Sequence, residues 1–367
     1  VYGSVDGSMN KSISSWLLAG VLLIITAIVF VHLFNRLPIE EFGFGLDWKG
    51  LWFGLKGGLP RYGSGLRNPP WSIVPVLPLG LLSYRSSWGI LILMTLVAEI
   101  VSVPRKIQKT LRILLTVLLV ISYPSIRTMA DGNFEVLTIA GVLTLLYALR
   151  KQNAWLLSIG ILVASVKPQT TWLLFVALPF YLIDKWPRKK IIQASIVTFI
   201  IVAIFLLAYG VDWFASMIGN EQRGSIMDIS LLAALTRLQL SPIVIGCIWG
   251  VIFGLSLYII YSSRHSIDRT KAGFLMSASL LLSPYAAGNS MLSLFTVGVI
   301  PLYIGDRMSA GALSIAFNLP YLFIHENPIW FSYGAYYTTL VLLLSWIVFS
   351  WKVRAHSRDT LVKSRQT

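Results

Sequence analysis

Between residues 35 and 71 the chain carries three carboxylates, Glu40, Glu41 and Asp47, and five cations, Arg36, Lys49, Lys56, Arg61 and Arg67. A carboxylate held beside a reacting hydroxyl can take its proton as a general base. Fixed cations can neutralise a departing phosphate. Asp47 is the best placed of the three, in Gly45-Leu46-Asp47-Trp48-Lys49-Gly50. It fits equally well as the N-cap of a short amphipathic helix over 48–56. Asp131 and Glu135 flank Gly132-Asn133, and their spacing of four puts them on one helix face if the helix begins early enough. Asp131 also suits an N-cap. Glu135 is harder to explain away, because ionisable groups inside apolar spans are expensive. Lys167-Pro168-Gln169 interrupts an apolar stretch that runs from Trp155 to Ile183. Its lysine either snorkels or offers a fixed cation to a phosphate, together with backbone N–H groups freed at the proline. Arg127 is a further cation of this kind. Later breaks bring Tyr285 in Ser283-Pro284-Tyr285, Asn289 after Gly288, and His325, which also suits a solvated turn.

The elements that position these groups lie in an apolar chain. Hydrophobic residues make up 56% of it and charged residues 12%, with mean hydropathy +0.74. That excludes an ordinary soluble globule. The apolar runs show no period of two, so the spans are helical rather than barrel strands. Cys247 is the one cysteine, which rules out an intrachain disulfide. The four histidines lack metal spacing, so no metal site and no cofactor is expected. Neither a phosphate-cradling glycine loop nor a Ser/His/Asp set is present.

Twelve spans account for the pattern, near 14–34, 86–103, 111–124, 134–149, 153–166, 170–184, 191–209, 242–261, 272–284, 291–304, 308–324 and 332–351. Residues 1–8 read as a non-native leader with Met9 the natural start. Residues 9–351 form a single membrane domain, and 352–367 a basic cytoplasmic tail. Residues 69–83 are apolar but hold four prolines, which remove helix donors. Charge parity decides their role. If they are a juxtamembrane or re-entrant element, about 20 of the 30 Lys and Arg fall on the side of the N-terminus. Both termini are then cytoplasmic in a multi-pass cell-membrane protein. The first loop 35–85, a turn at 125–133, the Lys167 break, a loop at 210–241 whose apolar stretch Ile229 to Leu240 suits an interfacial helix, and turns at 285–290 and 325–331 face outside. The net charge of +15 is thus a topological signal, and no nucleic-acid partner is needed. Membrane lipids are partners by construction of the fold.

These passages together resemble the GT-C superfamily of integral-membrane glycosyltransferases. Within it they look like the polyprenol-phosphate-mannose-dependent mannosyltransferases, whose relatives include phosphatidylinositol-mannoside enzymes and arabinofuranosyltransferases. Gly45-Leu46-Asp47-Trp48, Arg67-Asn68-Pro69-Pro70 and Leu77-Pro78-Leu79-Gly80-Leu81-Leu82 resemble the first-loop aspartate, Pro-Pro and Leu-Pro-Leu elements. Gly132-Asn133-Phe134-Glu135, Ser165-Val166-Lys167-Pro168-Gln169 and Leu281-Leu282-Ser283-Pro284-Tyr285 resemble the later motifs. Asn133 replaces the family's Gln, and Ala286, Ala287, Gly288 and Asn289 replace its more polar turn.

The resemblance implies an all-α bundle of about twelve membrane helices with juxtamembrane elements in the first loop. It implies sugar transfer, mannose first, from a polyprenyl-phosphate donor to a hydroxyl of a lipid or glycan acceptor at the outer face, with inversion. Asp47 would be the base. Lys167, Arg127, Arg61 and Arg67 would meet the donor phosphate. Asp131, Asn133, Glu135, Gln169, Asn68, Tyr285, Asn289 and His325 would position substrate. Composition alone suits a transporter or flippase of lipid-linked glycans as well. The discriminating feature is whether Asp47, Lys167 and Glu135 converge at one end of the bundle.

Overall fold

In the computed structural model the described residues are 21, 24–25, 27–37, 44–57, 68–211, 228–320 and 328–366. Their backbone is helical. Among them the only strand-like pairing is an isolated bridge between Asp228 and Ala287. Small polar residues cut the apolar runs into helices. Ser83, Ser122, Asn153, Ser230, Ser241, Asp268 and Asp306 each accept a hydrogen bond from the backbone N–H three residues on. Such a cap stabilises a helix start by about 1 kcal/mol.

After a helical stretch at 27–34, the first loop folds into α1 (Leu46–Gly57). Residues 70–81 follow as two 3-10 helices, Pro70–Ser72 and Val74–Leu81. At about 2 Å per residue the longer one reaches only about 16 Å, half a hydrocarbon core. It packs beside α1, where Trp52 donates to the carbonyl of Leu82 at 3.1 Å. The chain then builds α2 (Tyr84–Ser102), α3 (Lys109–Val120), α4 (Tyr123–Asp131), α5 (Glu135–Lys151), α6 (Ala154–Ala164), α7 (Pro168–Lys185) and α8 (Arg188–Tyr209). It ends with α9 (Leu231–Arg237), α10 (Pro242–Ser262), α11 (Arg269–Leu282), α12 (Gly288–Leu302), α13 (Arg307–Asn318) and α14 (Pro328–Gln366).

Four of these are long and apolar enough to cross a membrane: α2, α8, α10 and residues Gly334–His356 of α14. A fifth is possible if α3 and α4, bent by 46°, form one broken span. Twelve spans are not reached among the described residues, and much of the expected first span, 14–34, lies outside them. Among the described helices the reason is length: α6, with 11 residues, reaches about 16 Å, and α11, with 14, about 21 Å. One boundary also shifts: the expected outer turn at 125–133 is mostly the helix α4. The apolar stretch at 229–240 holds the short helix α9, in line with the helix expected there.

The core centres on α11, in which every residue from Lys271 to Leu282 is buried. A helix apolar all round belongs in an interior. By contrast α8 is almost wholly unburied within the protein, as a lipid-facing helix would be. α5 and α6 pack backbone to backbone. A Cβ on Gly141 would lie 2.3 Å from the Ala164 nitrogen, which is the close approach that small residues permit between membrane helices.

Glu99 on α2 is fully buried; among the described residues its carboxyl oxygens make no well-formed hydrogen bond, and the Ser125 hydroxyl is the polar group beside them. Replacing an unsatisfied buried polar group by an apolar one of similar shape is neutral or stabilising. Glu99→Met should therefore hold or raise stability, by up to about 1 kcal/mol. Thermal unfolding in detergent checks this, and a clear drop in the midpoint would refute it.

Candidate functional site

The site begins at Gly45, which precedes α1 with φ +75°. In this left-handed conformation, where glycine carries no penalty, its N–H donates to the Ala130 carbonyl at 2.7 Å. Its own carbonyl accepts from the Tyr84 hydroxyl at 3.0 Å. The start of α1 is thereby tied to α2 and α4. Trp48, one turn in, is fully buried. Its indole donates to the Ser87 hydroxyl at 3.1 Å and meets Phe134 edge-on at 5.9 Å. Asp47, on the neighbouring position, is exposed. It lies in the first turn of α1, a favourable place for a carboxylate against the helix dipole. The helix starts at Leu46, so Asp47 is inside it and is not its N-cap.

Asp131 closes α4 and is not the N-cap of the next helix, which is preceded by Phe134. Gly132 follows in the left-handed conformation, φ +74°. The N–H groups of Gly132 and Asn133 both return to the Thr128 carbonyl, at 3.0 and 3.2 Å, a Schellman-type helix end. The reversal means that Asp131 and Glu135 sit on different helices and share no face. Asp131 instead accepts from Arg127 Nε at 2.8 Å. Asn133, released from both helices, donates from Nδ2 to Asp47 Oδ2 at 3.2 Å.

The Lys167 break brings the second half of the site. Lys167 is the N-cap of α7, with Pro168 at the first helical position, where its missing N–H costs nothing. A cation at a helix N-terminus opposes the dipole. Glu135, at the first turn of α5 and fully buried, offsets it: Lys167 Nζ lies 2.5 Å from Glu135 Oε1. The ammonium also donates to Asn289 Oδ1 at 3.1 Å and to the Ser290 hydroxyl at 3.4 Å. The ammonium is thus held by one ion pair and two hydrogen bonds. Glu135 takes a second bond, on Oε2, from the Ser293 hydroxyl. Asn289 completes the set, with Nδ2 donating to Asp47 Oδ2 at 3.3 Å. Asp47, Asn133, Asn289, Lys167 and Glu135 thus form one connected polar cluster at one end of the bundle. Among the described residues both amides meet Oδ2 of Asp47, and Oδ1 is left open.

Asn68 is used differently. Its amide donates to the Val166 carbonyl at 2.7 Å, and Trp71 donates to the Ser165 hydroxyl at 2.8 Å. Together they hold the first loop against the turn that delivers Lys167. Gln169 is half-buried one turn away and makes no polar contact with the cluster among the described residues. Tyr285 is half-buried in the turn before α12, its backbone tied to the Ser283 hydroxyl. Arg61, Arg67 and His325, with Glu40 and Glu41, lie outside the described residues. No group of three or more His, Cys, Asp or Glu among the described residues is arranged to hold a metal ion.

Sequence reasoning missed Ser290, Ser293 and Asp228. Of these, Ser293 was readable. Asn289, Ser293 and Thr296 recur at spacings of four and three in an apolar run, the mark of one polar helix face. Asp228 is fully buried, and its carboxylate accepts from the N–H groups of Ser230 and Ala286 at 2.9 and 3.1 Å. It anchors the turn that carries Asn289, and nothing in its local sequence marks it.

The sequence profile of glycosyltransferase family 87 matches residues 67–284, more than half of the chain. The chain belongs to glycosyltransferase family 87. The matched region holds Asn68, Arg127, Asp131, Asn133, Glu135 and Lys167, while Asp47 and Asn289 flank it on either side. No curated protein and no solved structure matches the chain. Membership makes this family 87 protein a glycosyltransferase, acting on a sugar donor and an acceptor, and its apolar helices make it a membrane protein.

Proposed function

We propose that this family 87 member moves a sugar, mannose first, from a polyprenyl-phosphate donor to a hydroxyl of a lipid or glycan acceptor, in a GT-C-like bundle that opens at the outer face of the cell membrane. The shorter helices complete the crossing in pairs and as half-spans. The observation that carries the reading is the polar cluster: one exposed carboxylate, Asp47, pinned through Oδ2 by two amides and open at Oδ1.

In this mechanism Oδ1 accepts the proton of the acceptor hydroxyl as that oxygen attacks the anomeric carbon. The bond to the lipid phosphate breaks on the opposite face, so the product is inverted. Arg127 is the cation best fitted to the departing phosphate. Its Nε is spent on Asp131, its side chain is 37% exposed, and its two terminal nitrogens keep the fork geometry that matches phosphate oxygens. Lys167, already engaged with Glu135, Asn289 and Ser290, contributes charge from beneath rather than a direct bond. The convergence at one end of the bundle favours transfer over transport, since a flippase needs polar groups exposed along a path through the midplane.

The test is Asp47→Asn in purified full-length protein, given radiolabelled polyprenyl-phosphate mannose, or the arabinofuranose conjugate, and membrane lipid extract as acceptor. Removing a positioned general base should lower turnover by about 100- to 10,000-fold, with donor binding retained. Full transfer by the variant would overturn the assignment.

A further inference from the structure

We infer that Asn289 is a positioning residue that fixes the direction of the Asp47 carboxylate and couples it to the buried Lys167–Glu135 pair; this rests on the reading of Asp47 as the base. The two ends of one amide serve two opposite charges. Oδ1 accepts from the Lys167 ammonium at 3.1 Å, and Nδ2 donates to Asp47 Oδ2 at 3.3 Å. The reversed amide would set oxygen against carboxylate and N–H against ammonium, so the charges on either side dictate its orientation. Polarised at one end by a cation, the amide is a better donor at the other.

The backbone around Asn289 is held as firmly as its side chain. Its carbonyl accepts from the Thr128 hydroxyl at 3.1 Å, on the same helix α4 whose end leads to Asn133. The turn before it is anchored by Asp228 through Ala286, and by Ile229 N–H to the Ala286 carbonyl at 2.9 Å. Asn289 itself is 6% exposed, so it lies under Asp47 rather than in the path of a substrate. Asp47 is exposed and would otherwise choose among rotamers. Two amides on one oxygen leave the other without a partner among the described residues, free to take the proton of an acceptor. Asn133 supplies one of these bonds from a loop. Asn289 supplies the other from the rigid start of α12, and only Asn289 is also joined to Lys167.

The experiment compares Asn289→Ala and Asn289→Asp in the full chain, with the donor conjugate that the unmodified protein turns over. Asn289→Ala should lower kcat by about 10- to 100-fold, with the KM for donor within about twofold of the parent, because the base is misaimed and donor contacts are intact. Asn289→Asp is nearly isosteric and gains a charge against Lys167, so its thermal midpoint should equal or exceed the parent's. It sets a second carboxylate against Asp47, however, and should be less active than Asn289→Ala. A residue with a merely structural role gives the reverse order, Asp above Ala in activity.

Parent-like kcat in Asn289→Ala, or Asn289→Asp more active than Asn289→Ala, would overturn the inference. If Asp47→Asn is inactive while Asn289→Ala is fully active, the positioning role fails and the base assignment stands. If Asp47→Asn is fully active, the base assignment itself fails.

Discussion

Lys167→Met is expected to destabilise the protein by about 3–5 kcal/mol, the cost of leaving a buried charge without its partner. Glu135 has no exposed surface. Of its two close contacts, the ammonium is the only charge; the other is the Ser293 hydroxyl. Removing the ammonium leaves a carboxylate in an apolar bundle, where it must either take up a proton or draw in water. Glu135→Leu alone should be similarly harmful, because the lysine is then buried unpaired. The double variant Lys167→Met with Glu135→Leu should recover most of the lost stability, since an apolar pair of similar volume often replaces a buried ion pair at little cost. It should not recover transfer, because Asn289 has lost the cation that orients it. Thermal unfolding in detergent and a transfer assay on the same preparations check both halves. A double variant no more stable than the worse single one would show that the pair is not acting as a unit. So would a Lys167→Met variant within about 1 kcal/mol of the parent, since breaking a buried pair should cost several times that.

Which parts of this site were legible follows from the energetics of the membrane. A charge or an amide is costly in hydrocarbon, so Asp47, Asn133, Glu135, Lys167 and Asn289 stood out of an apolar sequence before any packing was known. Their partners did not stand out. Glu135 and Lys167 are brought together only by the hairpin of α5 and α6, whose tight packing depends on Gly141 against Ala164. Asn289 reaches Asp47 across 242 residues, through an anchor at Asp228 that reads as an ordinary loop residue. The N-cap alternative fails for both aspartates: the residue type fits a cap, but the actual helix starts follow backbone reversals at Gly45 and Gly132. The span count was hard to read for a related reason. α11 ends in an apolar run from Ala272 to Leu282 that reads like part of a span, yet every residue of that run is buried within the protein. Hydropathy does not distinguish a helix buried in protein from one buried in lipid; length and caps do, and the caps are single residues.

Gly132→Ala should cost about 2–5 kcal/mol and abolish transfer, through two independent penalties at one atom. The first is local. Residue 132 has φ +74°, and a non-glycine residue in the left-handed region costs about 1–2 kcal/mol. The second is packing. A Cβ there would lie 2.3 Å from the Cβ of Trp48 and 3.2 Å from the Trp88 indole nitrogen. Trp48 is fully buried and Trp88 nearly so, and each is held by an indole hydrogen bond, to the Ser87 hydroxyl and to the Met129 carbonyl. Neither can move aside cheaply, and overpacking a filled core costs about 1–3 kcal/mol more. Relief requires α1 to lift away from the end of α4. That motion breaks the bond from the Gly45 N–H to the Ala130 carbonyl and carries Asp47 away from Asn133. A 1 Å displacement of a positioned group can cost about 100-fold in rate, so activity should fall even in preparations that remain folded. Gly132→Asn separates the two penalties, because asparagine tolerates the left-handed conformation but still carries a Cβ. It should be as inactive as the alanine variant if packing against Trp48 dominates. An active Gly132→Asn would place the cost in the backbone conformation and leave the α1–α4 contact with little part in catalysis.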